Sequence, residues 1–170
     1  STVTALNLDV SAKTINVGEA ANFSIQFDAP DAADQTLDIT GMGDWATVVY
    51  DATKNSAGTG TITVTGVSST AGAAIPITIT ANGVKTGDPA VQTIISLTVV
   101  QKPTSVTVAG KATMEMSGAQ TLTATVLPAT TDNKQVTWKS SDLSVATVDA
   151  NGQVTSLTKT GTVTITATSK

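Results

Sequence analysis

Apolar residues recur at every second position along most of the chain. In the first hundred residues the sets are Leu6/Leu8/Val10, Phe23/Ile25/Phe27, Leu37/Ile39, Ala46/Val48/Tyr50, Ile62/Val64, Ile75/Ile77/Ile79 and Ile95/Leu97/Val99. A period of two puts each set on one face of a strand, with Thr, Ser, Asn or Asp on the other. Turn-forming stretches lie between them: VGEA, APDAAD, GMGD, NSAGTG, SSTAG, ANG and TGDP. No segment holds a helical period. Short strands at this spacing predict an all-β fold built as a sandwich of two packed sheets.

The stretch QKPTS, Gln101 to Ser105, marks a boundary. Pro103 cannot donate to a ladder, and it stiffens the link. Beyond it the alternation restarts with Val106/Val108, Leu122/Ala124/Val126, Val136/Trp138, Ala146/Val148, Val154 and Val163/Ile165/Ala167. Asn151-Gly152 fits a tight turn needing positive φ, between the strands around Val148 and Val154. The halves resemble one another: a shift of 99 residues lays Phe23/Ile25/Phe27 on Leu122/Ala124/Val126. The expected organisation is two sandwiches in tandem, residues 1–101 and 102–170.

Composition removes whole classes of chemistry. The chain has no Cys and no His, and its nine cationic residues are all Lys. That excludes the usual zinc sites, a thiol nucleophile and a Ser-His-Asp triad. No guanidinium fork is available for phosphate. A net charge of −4 argues against nucleic acid as a partner. The charge is uneven: residues 1–100 carry nine acids and three lysines, a net of −6, and residues 101–170 carry four acids and six lysines, a net of +2. This reads either as two solvated surfaces or as a basis for head-to-tail contact between copies. No apolar run is long enough to insert in a membrane as a helix. The N-terminus STVTALNLDV lacks the basic and apolar regions of a signal peptide.

Residues 104–170 resemble the bacterial Ig-like group 2 domain. The resemblance rests on SVTVAG, SGAQTLTATVLP, VTWKSSDLSVATVDANGQVTSL and GTVTITATS, which occur in order with suitable spacing. Residues 1–100 are more loosely similar to other bacterial Ig-like sandwiches, through AAIPITITANG and VQTIISLTVV. The resemblance implies two immunoglobulin-like β-sandwiches. Such domains serve as rigid spacers or weak binding modules in adhesins of the intimin and invasin kind, in surface-layer proteins and in phage tail and capsid-surface proteins. They share no catalytic residues.

This chain departs from the family pattern at one point. After the strand matching TVTITATSK the family continues into a further strand that closes the sandwich. The first half has its counterpart, VQTIISLTVV, but the second half has none before Lys170. Val163, Thr164, Ile165, Thr166, Ala167 and Thr168 are therefore expected to have a free neighbouring edge, a candidate docking site for a partner strand. Three accounts stay open: a chain that has been cut, an edge tolerated because Thr and Lys blunt it, or a strand supplied by another chain.

Other candidate chemistry is sparse. Asp28, Asp31 and Asp34 form a weak candidate calcium site. Their spacing does not match a calcium loop of the EF-hand type, which also needs a Gly and a distal Glu. Asp44, Asp51 and Asp88 lie near turns and add ligands only if the fold gathers them. Gly41 to Trp45, GMGDW, lacks the strand–loop–helix context of a phosphate loop. Trp138 is expected between sheets, with sugar stacking as the alternative. Ser140, Ser141 and Asp142 read as a turn, since no base is present to activate a serine.

The expectation is a non-enzymatic chain without a cofactor. Its first expected role is a structural or decorating subunit on a phage capsid surface or tail. The alternative is a segment of a secreted bacterial adhesin or surface-layer protein. Partners would be other copies of itself, other virion or surface proteins, or host-surface glycans. The location would be the virion surface or the bacterial cell surface.

Overall fold

The computed structural model describes residues 1–51 and 58–170. The Asn55-Ser56-Ala57 part of the NSAGTG turn lies outside the described residues. The described residues form strands and turns and no helix. The chain divides into two compact units, Ser1–Gln101 and Lys102–Lys170.

The first unit contains β1 (Leu6–Leu8), β2 (Ala12–Asn16), β3 (Ala20–Phe27), β4 (Leu37–Thr40), β5 (Ala46–Asp51), β6 (Thr59–Gly66), β7 (Ile75–Ala81) and β8 (Gln92–Val100). One sheet has the order β1-β3-β6-β5 and the other β2-β8-β7-β4. All pairings are antiparallel except β2 with β8, which run parallel with Ile15 opposite Val99. The alternating apolar sets meet in one core. Phe23, Ile25, Phe27, Ile62, Val64, Ile77, Ile79, Ile95, Leu97 and Val99 are each at most 1% exposed. Each such side chain stabilises the fold by about 1.5–3 kcal/mol, set against the entropy of ordering it.

One strand of this unit, β2, was not expected from the alternation. Of its residues only Ile15 is buried. Its extended conformation is held from outside, by the ladder to β8.

The second unit contains β9 (Ser105–Ala109), β10 (Ala119–Thr121), β11 (Thr123–Leu127), β12 (Val136–Ser140), β13 (Ala146–Val148), β14 (Gln153–Ser156) and β15 (Ile165–Ser169). Its pairings are β9 with β11, β10 with β14, β14 with β13, and β12 with β15, all antiparallel. Leu122 divides β10 from β11, so a strand that is continuous as β3 in the first unit is broken here.

The turn at Asn151-Gly152 is wider than a two-residue hairpin. Of the two residues only Gly152 has positive φ, at +79°. Asp149 closes the turn by accepting from the Asn151 amide at 2.8 Å and the Gln153 amide at 2.9 Å. A carboxylate that satisfies two amides replaces the second left-handed residue that a shorter turn requires.

Burial differs sharply between the units. The large side chains that are less than 2% exposed all belong to the first unit. In the second, the buried apolar residues are Val126, Val145, Ala146 and Val154.

Candidate functional site: the β15 edge and its cleft

The two units share one short strand sequence. Thr78-Ile79-Thr80-Ala81 of β7 and Thr164-Ile165-Thr166-Ala167, which runs into β15, are the same tetrapeptide. Both pair antiparallel with an equivalent neighbour: Ile79 lies opposite Ile39 of β4, and Ala167 opposite Trp138 of β12. On its other side β7 pairs with β8, placing Ile77 opposite Ile95. Among the described residues β15 pairs with β12 alone.

The register fixes which groups of β15 are left over. Thr164 exchanges bonds with Ser141, and the Lys170 amide donates to the Gln135 carbonyl at 3.0 Å. In an antiparallel ladder the bonded pairs alternate. Thr166 and Thr168 therefore turn their amides to β12, while Ile165, Ala167 and Ser169 turn theirs to the open side. The side chains of Ile165 and Ala167 point inward but are only half-buried. Their counterparts Ile79 and Ala81 are 0% and 5% exposed.

The strand begins at Ile165, later than its alternation predicts, so Val163 and Thr164 lie before it. The ladder partners of β12 end at Ser140, and beyond that point Thr164 is held by the Ser141 turn instead. Residues Gly161 to Thr164 are irregular.

A cleft of about 460 Å³ opens beside these residues. It is lined by Gly161, Val163 and Ile165 and by Lys111, Ala112 and Met114. Leu122, Val145 and Val154 also line it. Met116 and Leu157 stand at its margin, 60% and 37% exposed. Met116 and Leu157 thus border solvent, while Val145 and Val154 stay buried beneath them.

The other candidate residues have structural tasks. Asp28 accepts from both the backbone amide and the hydroxyl of Thr4. The Thr4 hydroxyl is the main reason its carboxyl sits below the ordinary range. Asp34 accepts from the Thr36 hydroxyl at 2.6 Å and amide at 2.8 Å, and is lowered for the same reason. Asp31 accepts from the Ser1 hydroxyl at 2.7 Å. The three carboxylates are therefore turned to three different partners. Among the described residues no group of three or more acidic side chains is placed to hold a metal ion. The loop they occupy is tied down through Gln35, whose carbonyl accepts from the Tyr50 hydroxyl at 2.8 Å and whose amide donates to the Pro30 carbonyl at 2.7 Å. Burial pushes the Tyr50 hydroxyl above its ordinary pKa.

Ser140, Ser141 and Asp142 form a bonded turn. The buried Ser140 hydroxyl donates to the Ala146 carbonyl at 2.7 Å. Asp142 accepts from the Ser144 hydroxyl at 2.6 Å and amide at 2.8 Å, which lowers its pKa, with a smaller contribution from Lys159 at 3.3 Å. Trp138 is half-buried, not enclosed, and Gly152 packs on its ring: a Cβ at that glycine would sit 2.8 Å from Cζ2.

The fold defines a pair of immunoglobulin-like sandwiches. The comparisons agree. Residues 98–170 match the family model of the bacterial Ig-like domain, group 2, so the second unit is a domain of that family. The chain is 62% identical over 47 residues to an uncharacterized protein of Clostridium acetobutylicum, covering 28% of this chain and 5% of that protein. It is 47% identical over 74 residues to an alpha-L-arabinofuranosidase of Bifidobacterium longum, covering 40% of this chain and 7% of the enzyme. The chain thus spans a small fraction of the length of the curated relatives it matches. Among solved structures, an ICAM-5 D1–D4 ectodomain fragment aligns with 97% of this chain and 40% of its own, at TM-score 0.51 and 8% identity. That likeness is one of fold.

Proposed function

We propose that this chain is a non-enzymatic structural module of a surface-exposed assembly. The first unit acts as a stiff spacer, and the second joins a neighbouring strand through β15. The observation that carries this reading is the contrast between two equivalent strands, β7 paired on both sides and β15 on one. An edge of free amides and carbonyls is a ready template for pairing. Partners are other surface proteins, bound through backbone hydrogen bonds.

The matches to short stretches of long bacterial proteins favour a multi-module bacterial surface or secreted protein as the setting. The local match to an arabinofuranosidase is read as a shared accessory domain, not a shared active site. The second setting is the surface of a phage particle, where an open edge would serve to join a neighbouring subunit. Antibody labelling of intact cells and of purified phage particles from one culture separates the two. Label on cells is expected. Label on particles alone would move the chain to the virion, and label on neither would sink the surface role. The chain is also expected to release no arabinose from arabinofuranoside substrates, and turnover would refute the non-enzymatic reading.

A further inference from the structure

The chain enters and leaves the first unit by way of two neighbouring strands. The Val3 amide donates to the Gly83 carbonyl at 3.0 Å, past the end of β7 and beside the start of β8. At the other end of β8 the Val17 amide donates to the Val100 carbonyl at 2.9 Å. Residues before β1 and residues after β8 therefore lie at opposite ends of the unit. Between them the chain runs as β1 against β3 in one sheet, crosses at Asp9, and runs as β2 against β8 in the other. The Asp9 carboxylate holds the crossing by accepting from the Ser24 amide at 2.8 Å and the Val10 amide at 2.9 Å. The bonds at the two ends of the β2–β8 ladder fix its phase. The Ser96 amide donates to the Ser11 carbonyl at 2.7 Å at one end, and Val17 donates to Val100 at the other. A parallel ladder is evenly spaced. Lys13 and Ile15 therefore donate to Ser96 and Thr98 and accept from Thr98 and Val100. Thr14 turns its amide to the open side, since among the described residues β2 pairs with β8 alone. Ile15 and Val99, opposite one another, are 6% and 0% exposed, which keeps water from the inner face of the ladder.

Resting on the reading of the first unit as a stiff spacer, we propose that β2 and β8 form a mechanical clamp through which the unit carries tension along the chain. A pull on the chain before β1 draws β2 toward one end of the unit, and a pull on the chain after β8 draws β8 toward the other. Parallel strands loaded in this way slide along their own axes. Every bond of the ladder is then strained together, and none breaks singly. A load applied to both strands at one end would peel the same bonds one after another. Forced unfolding is governed by the unfolding rate, so the direction of load changes the strength while equilibrium stability stays the same. β8 does not yield first on its far side, because β7 pairs with it there from Ile75 opposite Leu97 to Thr80 opposite Gln92. The clamp therefore opens at β2, whose hold on the unit is this ladder and the buried Ile15.

Single-molecule force spectroscopy on the full chain tests the clamp. The sequence has no Cys, so introduced thiols are the sole attachment points. Ser1→Cys with Lys102→Cys loads β2 and β8 in shear and leaves the second unit outside the loaded path. Ala20→Cys with Lys102→Cys puts both handles at the Val17–Val100 end and loads the ladder in peel. Rupture should be abrupt in both, with a force at least about twofold higher in shear, where the whole ladder shares the load. Lys13→Pro removes a ladder amide and should bring that ratio toward one. Lys13→Ala loses the side chain's contacts with the Phe23 ring and the Asn22 carbonyl but keeps the amide, and it should retain the ratio. Thr14→Pro, whose amide faces outward, should retain it too. Protected amides along β6, which is paired on both sides, show that a variant has folded. If Lys13→Pro lacks them, the ratio of the two geometries decides alone. Abrupt rupture at equal force in both geometries, or an equal fall in Thr14→Pro and Lys13→Pro, would overturn the clamp and leave the stiff spacer standing. Gradual extension without a rupture step would sink both.

Discussion

Replacing Gly152 with alanine isolates what holds the second unit together around Trp138. Gly152 has φ +79°, and an added Cβ would lie 2.7 Å from the Leu122 carbonyl oxygen and 2.8 Å from Trp138 Cζ2. The left-handed backbone costs an alanine about 1 kcal/mol. Overpacking against a backbone oxygen and a ring adds about 1–3 kcal/mol. The total of about 2–4 kcal/mol is a large part of what a small domain possesses. Gly72 is the internal control: its φ is +80°, and nothing lies within 4 Å of an added Cβ. Its alanine variant should lose only the backbone part, about 1 kcal/mol, from the first unit. Urea unfolding reads the first variant through Trp138 fluorescence in a Trp45→Phe background, and the second through amide exchange of the first unit. Equal losses at the two glycines would refute the packing assigned to Trp138 and Leu122.

Three further outcomes follow from the same contacts. Phe23→Ala removes a fully buried ring of the first core and should cost about 3–5 kcal/mol, read as faster exchange of the amides of β3 and β6. Ser140→Ala leaves the Ala146 carbonyl without its buried donor and should cost the second unit about 1 kcal/mol, read by urea unfolding. Asp28 and Asp34 have folded-state pKa values below the ordinary 3.8, so their contribution is complete above that value and is lost as pH falls through the lowered ones. Acid unfolding of the first unit followed by circular dichroism should shift to higher pH in Thr4→Val, which deletes the bond most responsible at Asp28; an unchanged midpoint would contradict it.

The parts of the fold that were legible in the sequence are those in which side-chain alternation and burial coincide. Phe23/Ile25/Phe27 and Ile95/Leu97/Val99 fall in strands with all members buried. The alternation misses β2, because AKTIN buries only Ile15 and is extended through its non-local ladder to β8. The break at Leu122 is likewise invisible in a run that alternates without interruption. The aspartate cluster shows the reverse case, where proximity in sequence did not become a shared site because Thr4, Ser1 and Thr36 each engage one carboxylate.

The central claim is that β15 is bonded on one side and free on the other, and exchange of its own amides in the purified chain tests it most directly. Thr166 and Thr168, turned to β12, should be protected, while Ile165, Ala167 and Ser169 exchange at rates close to those of an unstructured peptide. Uniform protection along all five residues would mean that the edge is already filled and would contradict the account.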